Sequence, residues 1–136
     1  MIPEELSLVS DDLTRITARL AEVLVMEKSD VIRDSAVKRF ELCFESAWKA
    51  IKVFARLQGK ECYSPRECFR TAYQLGLVHY ETDWLDMVKD RNEVTHLYKE
   101  DFANEVYGRL PRYLAHFQTL IEALKIRSKD FASPST

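Results

Sequence analysis

The stretch that decides the fold runs from residue 31 to residue 58 and reads VIRDSAVKRFELCFESAWKAIKVFARLQ. Its large apolar residues recur every three to five positions, which places them on one broad face of a single long helix. They are Ile32, Val37, Phe40, Phe44, Trp48, Ile51 and Phe54. The helix is expected to stop at Gly59, because glycine is common just past the end of a helix. Its aromatic residues are expected to form core.

The same period continues upstream. A seam of apolar residues predicts a first helix over about residues 4–27, packed nearly parallel or antiparallel to a neighbour. The seam consists of Leu6, Val9, Leu13, Ile16, Leu20 and Val23.

Three further helices are predicted downstream. Residues 64–67 (SPRE) form a capping box with proline at the first helical position, so a third helix begins there and ends before Gly76. A fourth helix is capped by residue 82 or 83, and its far end lies near residues 96–99. A fifth begins near Asp101 and contains Pro111, which is expected to kink it.

Composition limits the possible folds. The chain has 136 residues, 46% apolar and 31% charged, as in one globular domain. Its 3 glycines and 4 prolines are too few to form the turns of an all-β fold. The sequence predicts an all-α fold: an antiparallel up-and-down bundle of four to five helices over residues 1–127, followed by a frayed tail over residues 128–136.

The sequence also indicates a cytoplasmic protein without a membrane segment. No run approaches 18 apolar residues, and residues 1–11 lack the features of a signal peptide. Cys43, Cys62 and Cys68 form no C-x-x-C pair, which favours three reduced thiols. The histidines lack metal-ligand spacing and no glycine-rich phosphate motif occurs, so neither a metal nor a cofactor is expected.

The formal charge of −2 conceals a segregation of charge along the chain. Residues 38–70 carry a net +4, whereas residues 71–105 carry a net −5. Four residues of the basic block are candidates for RNA binding, namely Lys38, Arg39, Lys49 and Arg66. Two interpretations stay open: a solvated face with pairs such as Glu45 with Lys49, or a track for phosphate groups.

One polar cluster stands apart, at residues 90–98 (DRNEVTHLY). Asn92 and His96 lie about 40° apart on an ideal helix, one turn from each other. Arg91 and Tyr98 lie about 20° apart across two turns. Arg91 and His96 are separated by about 140°, so they would meet on one phosphate only if the helix ends or bends, or if a second chain completes the site.

The residue types in this cluster suit phosphodiester cleavage without a metal. His96 can take or give a proton near neutral pH, and Arg91 can bind a charged phosphorus centre through two hydrogen bonds. Asn92 would orient the phosphate or the imidazole. The alternative is structural, with a histidine that caps a helix end and an arginine in a salt bridge with Asp90 or Glu93.

Several stretches, taken in order, resemble the HEPN superfamily, specifically its nucleotidyltransferase substrate-binding branch. The most specific is the pattern of arginine, four residues, histidine, one residue and tyrosine, which Arg91, His96 and Tyr98 fill, with the family's polar residue at Asn92. The resemblance covers roughly residues 30–125. The other matching stretches are residues 34–36, 38–41, 48–49, 64–66, 76–77 and 84–87.

This resemblance implies a bundle that forms a homodimer or a higher oligomer around a shared cleft. Members with the intact pattern are regarded as toxins of toxin-antitoxin pairs, metal-independent endoribonucleases that would use Arg91 and His96 as catalytic residues with support from Asn92. A cognate minimal nucleotidyltransferase, the antitoxin, would neutralise the toxin by transferring AMP to Tyr98. The alternative within the same family is a non-catalytic substrate-binding subunit of a two-component nucleotidyltransferase.

Overall fold

The computed structural model describes residues 2–131, and all regular secondary structure in this range is helical. The five α-helices are α1 (Glu4–Leu24), α2 (Asp30–Leu57), α3 (Pro65–Gln74), α4 (Glu81–Asn92) and α5 (Glu100–Arg127). One turn of 3-10 helix follows α4 at Val94–His96 and another follows α5 at Ser128–Phe131. The prediction of an all-helical bundle is confirmed. No helix in this range is long and apolar enough to cross a membrane.

Local signals set where α3 begins and where α2 and α3 end. The Ser64 hydroxyl accepts a hydrogen bond from the Glu67 N–H at 3.2 Å, and the Glu67 carboxylate accepts one from the Tyr63 N–H at 3.1 Å. The predicted capping box is therefore formed. Gly59 and Gly76 follow the two helices with φ of 81° and 74°, a left-handed conformation that glycine adopts without a steric penalty.

Contacts between the helices show their relative directions. A short connection makes α1 and α2 antiparallel neighbours. Helices α2 and α5 run in the same direction: Arg33 contacts Glu100 at 2.7 Å near their starts, and the Arg127 guanidinium lies 5.3 Å from the Phe54 ring centroid near their ends. The shorter α3 and α4 return the chain to the starting end of α2.

The core lies where α1, α2 and α5 meet, and α3 and α4 pack on its side. Phe40 of α2 stacks on Tyr113 of α5, with ring centroids 5.3 Å apart. The predicted core positions of Phe40 and Phe44 are confirmed, since both are fully buried. Trp48, the third residue of the stripe, is half-buried at the edge of the core.

Helix α4 is shorter than predicted. Its first residue, Glu81, lies just before the expected start, but the helix ends at Asn92 and not near residues 96–99. The Glu93 N–H bonds to the Asp90 carbonyl at 3.1 Å, three residues back. This tighter bond closes the last turn and lets the chain leave the helix.

The C-terminal part of the chain is helical to Phe131. Helix α5 contains Pro111, as expected, and is continuous from Glu100 to Arg127. The chain from Ser128, expected to fray, forms a 3-10 turn in which Phe131 packs edge-on against Phe54, with centroids 5.5 Å apart. This aromatic contact buries apolar surface and holds the turn against α2. Residues 132–136 of the expected tail lie outside the described residues.

Two of the three cysteines form a disulfide. Cys62 and Cys68 are bonded across the start of α3, with their Cα atoms 5.1 Å apart. The prediction of three reduced thiols is wrong because the turn at Ser64 folds the chain back and brings these two buried side chains together. Cys43 of α2 keeps its thiol, and burial raises its pKa to about 12.

Candidate functional site

The polar segment at residues 90–98 forms the junction between α4 and α5. Helix α4 ends within it at Asn92, and a 3-10 turn follows at Val94–His96. His96 is exposed, and Tyr98 is 75% exposed. The helix therefore ends between Arg91 and His96. This is one of the conditions under which ideal-helix geometry would allow the two side chains to meet.

Asp90 is the buried end of the segment and fixes it to α5. Its carboxylate accepts hydrogen bonds from Nε and Nη2 of Arg109, both at 2.8 Å, and from the Tyr113 hydroxyl at 2.6 Å. The hydrogen bond to Asp90 raises the pKa of Arg109. Burial, together with the same carboxylate, raises the pKa of the Tyr113 hydroxyl. Asp90 thus accepts hydrogen bonds from one charged and one neutral side chain, and these bonds hold the end of α4 against α5.

Arg91 is bound by α2. Its guanidinium forms an ion pair with Glu45 and lies over the Phe44 ring, with Cζ 5.0 Å from the ring centroid. Arg91 Nη1 also donates to Asn92 Oδ1 at 3.5 Å. The structural alternative, a salt bridge within residues 90–93, is therefore wrong for Arg91. The partner is a carboxylate on another helix.

Glu45 makes two contacts at once. One carboxylate oxygen pairs with Arg91, and the other accepts a hydrogen bond from Trp48 Nε1 at 3.1 Å. The side chains of Glu45 and Arg91 are each 31% exposed, so water only partly screens their attraction. The sequence suggested a pair between Glu45 and Lys49 one turn away, but Glu45 instead joins α2 to the end of α4.

His96 and Tyr98 form a second group on the exposed side of the junction. Their rings meet edge to face, with centroids 6.1 Å apart. Within residues 2–131, no hydrogen bond or ion pair joins Arg91 to His96. The structure thus brings together Arg91 with Asn92, and His96 with Tyr98, but not all four side chains in one chain.

The four basic candidates have different surroundings. Lys38 forms an ion pair with a carboxylate of its own helix at 2.9 Å, and Arg39 Nη1 donates to the Arg19 carbonyl at 2.6 Å. Lys49 lines the groove between α1 and α2. Arg66 is exposed in the first turn of α3. Of the four candidates, Lys49 is the one that lines the same groove as Glu45, the partner of Arg91.

The groove between α1 and α2 is open and has a volume of about 680 Å³. Its lining combines apolar with basic side chains, chiefly Ile16, Leu42, Arg15, Arg19 and Lys49. Glu45 belongs both to this lining and to the ion pair with Arg91. The groove and the α4–α5 junction are therefore physically connected, a link that no local sequence pattern signals.

The described residues hold no cluster for a metal. Between residues 2 and 131, no three histidine, cysteine, aspartate or glutamate side chains are grouped to bind an ion. His116 pairs with Asp83 instead, with Nε2 and Oδ2 2.7 Å apart, beside the Trp84 ring. This contact fastens α5 to the start of α4.

Comparison with known proteins identifies the family. A family model described as nucleotidyltransferase substrate binding protein like matches residues 7–126. The chain belongs to this family. The matched range contains the groove, the Glu45–Arg91 contact and Tyr98. No curated protein gives a significant match to this family member.

Solved structures share the fold of this family member. A crystal structure of a protein from Thermus thermophilus is 34% identical, covers 82% of this chain and 98% of that chain, and has a TM-score of 0.79. A Haemophilus influenzae protein is 22% identical, covers 88% of this chain and 96% of that chain, and has a TM-score of 0.68. That structure is described as the fold of a substrate binding domain of a nucleotidyltransferase, and at this identity it supports the fold alone.

Proposed function

We propose that this family member is the non-catalytic, substrate-binding partner of a nucleotidyltransferase, and that the substrate it presents is its own Tyr98. The observation that carries the proposal is the 75% exposure of Tyr98 on the turn between α4 and α5. Asp90 and Arg91 anchor the start of that turn to α5 and α2. An exposed side chain on an anchored turn can enter another protein's active site without disrupting its own domain. Membership of the family supports the nucleotidyltransferase as partner.

The chemistry is transfer of AMP from ATP. The Tyr98 oxygen attacks the α-phosphorus, the bond between the α- and β-phosphates breaks, and pyrophosphate leaves with that electron pair. The phenolic proton passes to a base; the His96 ring lies edge to face with Tyr98, with centroids 6.1 Å apart, and imidazole is a common general base in enzymes. The product carries a phosphodiester beside His96, which adds negative charge to the exposed side of the junction.

The position of the isotope in ATP tests this reaction. The chain is incubated with a cognate minimal nucleotidyltransferase and ATP labelled at the α-phosphate or at the γ-phosphate. Label should stay on the chain only from the α-labelled ATP. Transfer from the γ-labelled ATP would indicate phosphorylation, and absence of label from both would refute the proposed function.

A second candidate function is a metal-independent endoribonuclease toxin that the same AMP transfer neutralises. It is favoured by one observation: the exposed His96 follows Arg91 and Asn92 across the end of α4. Since no hydrogen bond or ion pair joins Arg91 to His96 within the described residues of one chain, this activity would need a homodimer in which a second copy brings its arginine to the histidine. Lys38, Arg39, Lys49 and Arg66 would then contact the RNA backbone.

Cleavage of RNA in EDTA distinguishes the two functions. Pooled transfer and messenger RNA is incubated with wild type, His96→Ala and His79→Ala, the last as a matched exposed histidine. The nuclease function predicts cleavage by wild type and His79→Ala but not by His96→Ala. If wild type cleaves no RNA, or His96→Ala cleaves as fast, the nuclease function is excluded.

A further inference from the structure

The groove between α1 and α2 has the features of a binding surface for a helix. Its walls are two antiparallel helices, and its volume is about 680 Å³. Ile16 and Ala18 of α1 and Leu42 of α2 supply an apolar floor. Leu42 is 40% exposed although it lies in the middle of a long helix, so its apolar surface is left uncovered by the chain's own fold.

The rim of the groove carries unneutralised positive charge. The two acidic residues of the lining already have partners, since Asp12 pairs with Arg15 and Glu45 pairs with Arg91. Within the described part of the chain, Arg19 and Lys49 have no carboxylate partner, although both line the groove. An apolar floor between basic side chains is complementary to an amphipathic helix whose apolar stripe is flanked by acidic residues.

We propose that the α1–α2 groove is the docking site for such a helix, supplied by the partner nucleotidyltransferase. The inference rests on the proposed function for the identity of the partner, and it adds the surface by which that partner is bound. Glu45 connects the groove to the modified turn, because it lines the groove and binds Arg91. A helix in the groove would therefore lie against the contact that anchors the turn carrying Tyr98.

Matched substitutions test the floor and the rim separately. Leu42→Asp places a charge on the floor, and Val31→Asp makes the same change on α2 at a residue that is 77% exposed and outside the groove. Lys49→Glu reverses a rim charge, and Lys60→Glu does so at an exposed lysine in the loop after α2. Thermal unfolding of all four variants confirms that each is folded before its binding is measured.

Binding to the purified nucleotidyltransferase is measured by calorimetry. We expect Leu42→Asp and Lys49→Glu each to raise the dissociation constant about tenfold or more, while the two control variants stay within about twofold of wild type. Raising the salt concentration should weaken wild-type binding more than binding of Lys49→Glu, because that variant lacks one of the screened attractions. Equal affinity of wild type, Leu42→Asp and Lys49→Glu would overturn the docking site.

A photoreactive cross-linker identifies the occupant. Placed at position 42, it should capture a helical segment of the nucleotidyltransferase that contains acidic residues, whereas at position 31 it should not. Capture of a second copy of this chain, or of a single-stranded RNA oligonucleotide in place of the enzyme, would overturn the inference.

If Tyr98 receives AMP while the groove variants bind the enzyme normally, the docking site is refuted and the proposed function stands. If wild type binds the enzyme through the groove but Tyr98 is never modified, the proposed function is refuted and the docking site stands.

Discussion

Arg91 at the end of α4 forms an ion pair with Glu45 in the middle of α2. The two residues are far apart in sequence, and their contact holds the end of α4, just before the exposed turn with His96 and Tyr98, against α2. Trp48 hydrogen-bonds the same carboxylate, and Phe44 lies under the guanidinium. The residue that family resemblance marks as catalytic thus also connects two helices in the isolated chain.

A double-mutant cycle measures this connection. Arg91→Ala, Glu45→Ala and the double variant are compared by urea unfolding. Because both side chains are partly shielded, we expect a coupling free energy of about 0.5–1 kcal/mol, which the cycle separates from the lost Trp48 hydrogen bond. Strict additivity of the two single changes would show that the ion pair contributes nothing to stability.

Substitution of Asp90 should be much more costly than substitution of a nearby exposed aspartate. Asp90→Asn removes the buried charge that pairs with Arg109 and weakens the bond to Tyr113, so unfolding free energy should fall by about 3 kcal/mol. Asp86→Asn, on the same helix and 4.0 Å from Arg112, should change it by less than about 0.5 kcal/mol. Equal losses in urea unfolding would contradict the anchoring of α4 on α5.

The contact between Arg33 and Glu100 should make stability depend on pH. Arg33, buried near the start of α2, donates a hydrogen bond to Glu100 at 2.7 Å and lowers the pKa of that carboxyl. The ionised carboxylate therefore stabilises the fold above the unfolded pKa of about 4.3, and the stabilisation is lost as the pH falls through the lower folded value. The difference in unfolding free energy between wild type and Glu100→Gln should be constant near neutral pH and shrink below about pH 4. A difference independent of pH would refute the assignment.

Counting thiols tests the cysteine arrangement. In the native protein no thiol should react with added maleimide. Cys43 is buried and its pKa is raised to about 12, and Cys62 and Cys68 are joined by a disulfide. Denaturation without a reductant should expose one thiol, and denaturation with a reductant should expose three. Three thiols without reductant would show that the disulfide is absent and that the sequence-based expectation of free cysteines is correct.

The fold could be predicted because its signals are local. The period of α2 and the capping box before α3 depend on residues within one or two turns, so the sequence is enough to predict the helix over residues 31–58 and the cap at Ser64. The sequence does not reveal the disulfide, because Cys62 and Cys68 meet only through the conformation of the turn between them.

The site was predicted less completely, since its geometry depends on contacts between helices. Sequence spacing selected Arg91, His96 and Tyr98, and it stated that the helix must end or bend for the first two to meet. It could not select Glu45, because nothing in the sequence shows that this turn of α2 faces the end of α4. The register between two helices is set by side-chain packing across the core, which spacing along one helix does not report.

The most direct test of the central claim is peptide mass spectrometry of the chain after incubation with a cognate minimal nucleotidyltransferase and ATP. Wild type and Tyr80→Phe, a control at a tyrosine that is 67% exposed, should carry the mass of one or more AMP groups on the peptide containing residue 98. Tyr98→Phe should carry none. An unmodified wild type, or equal modification of Tyr98→Phe, would contradict the account.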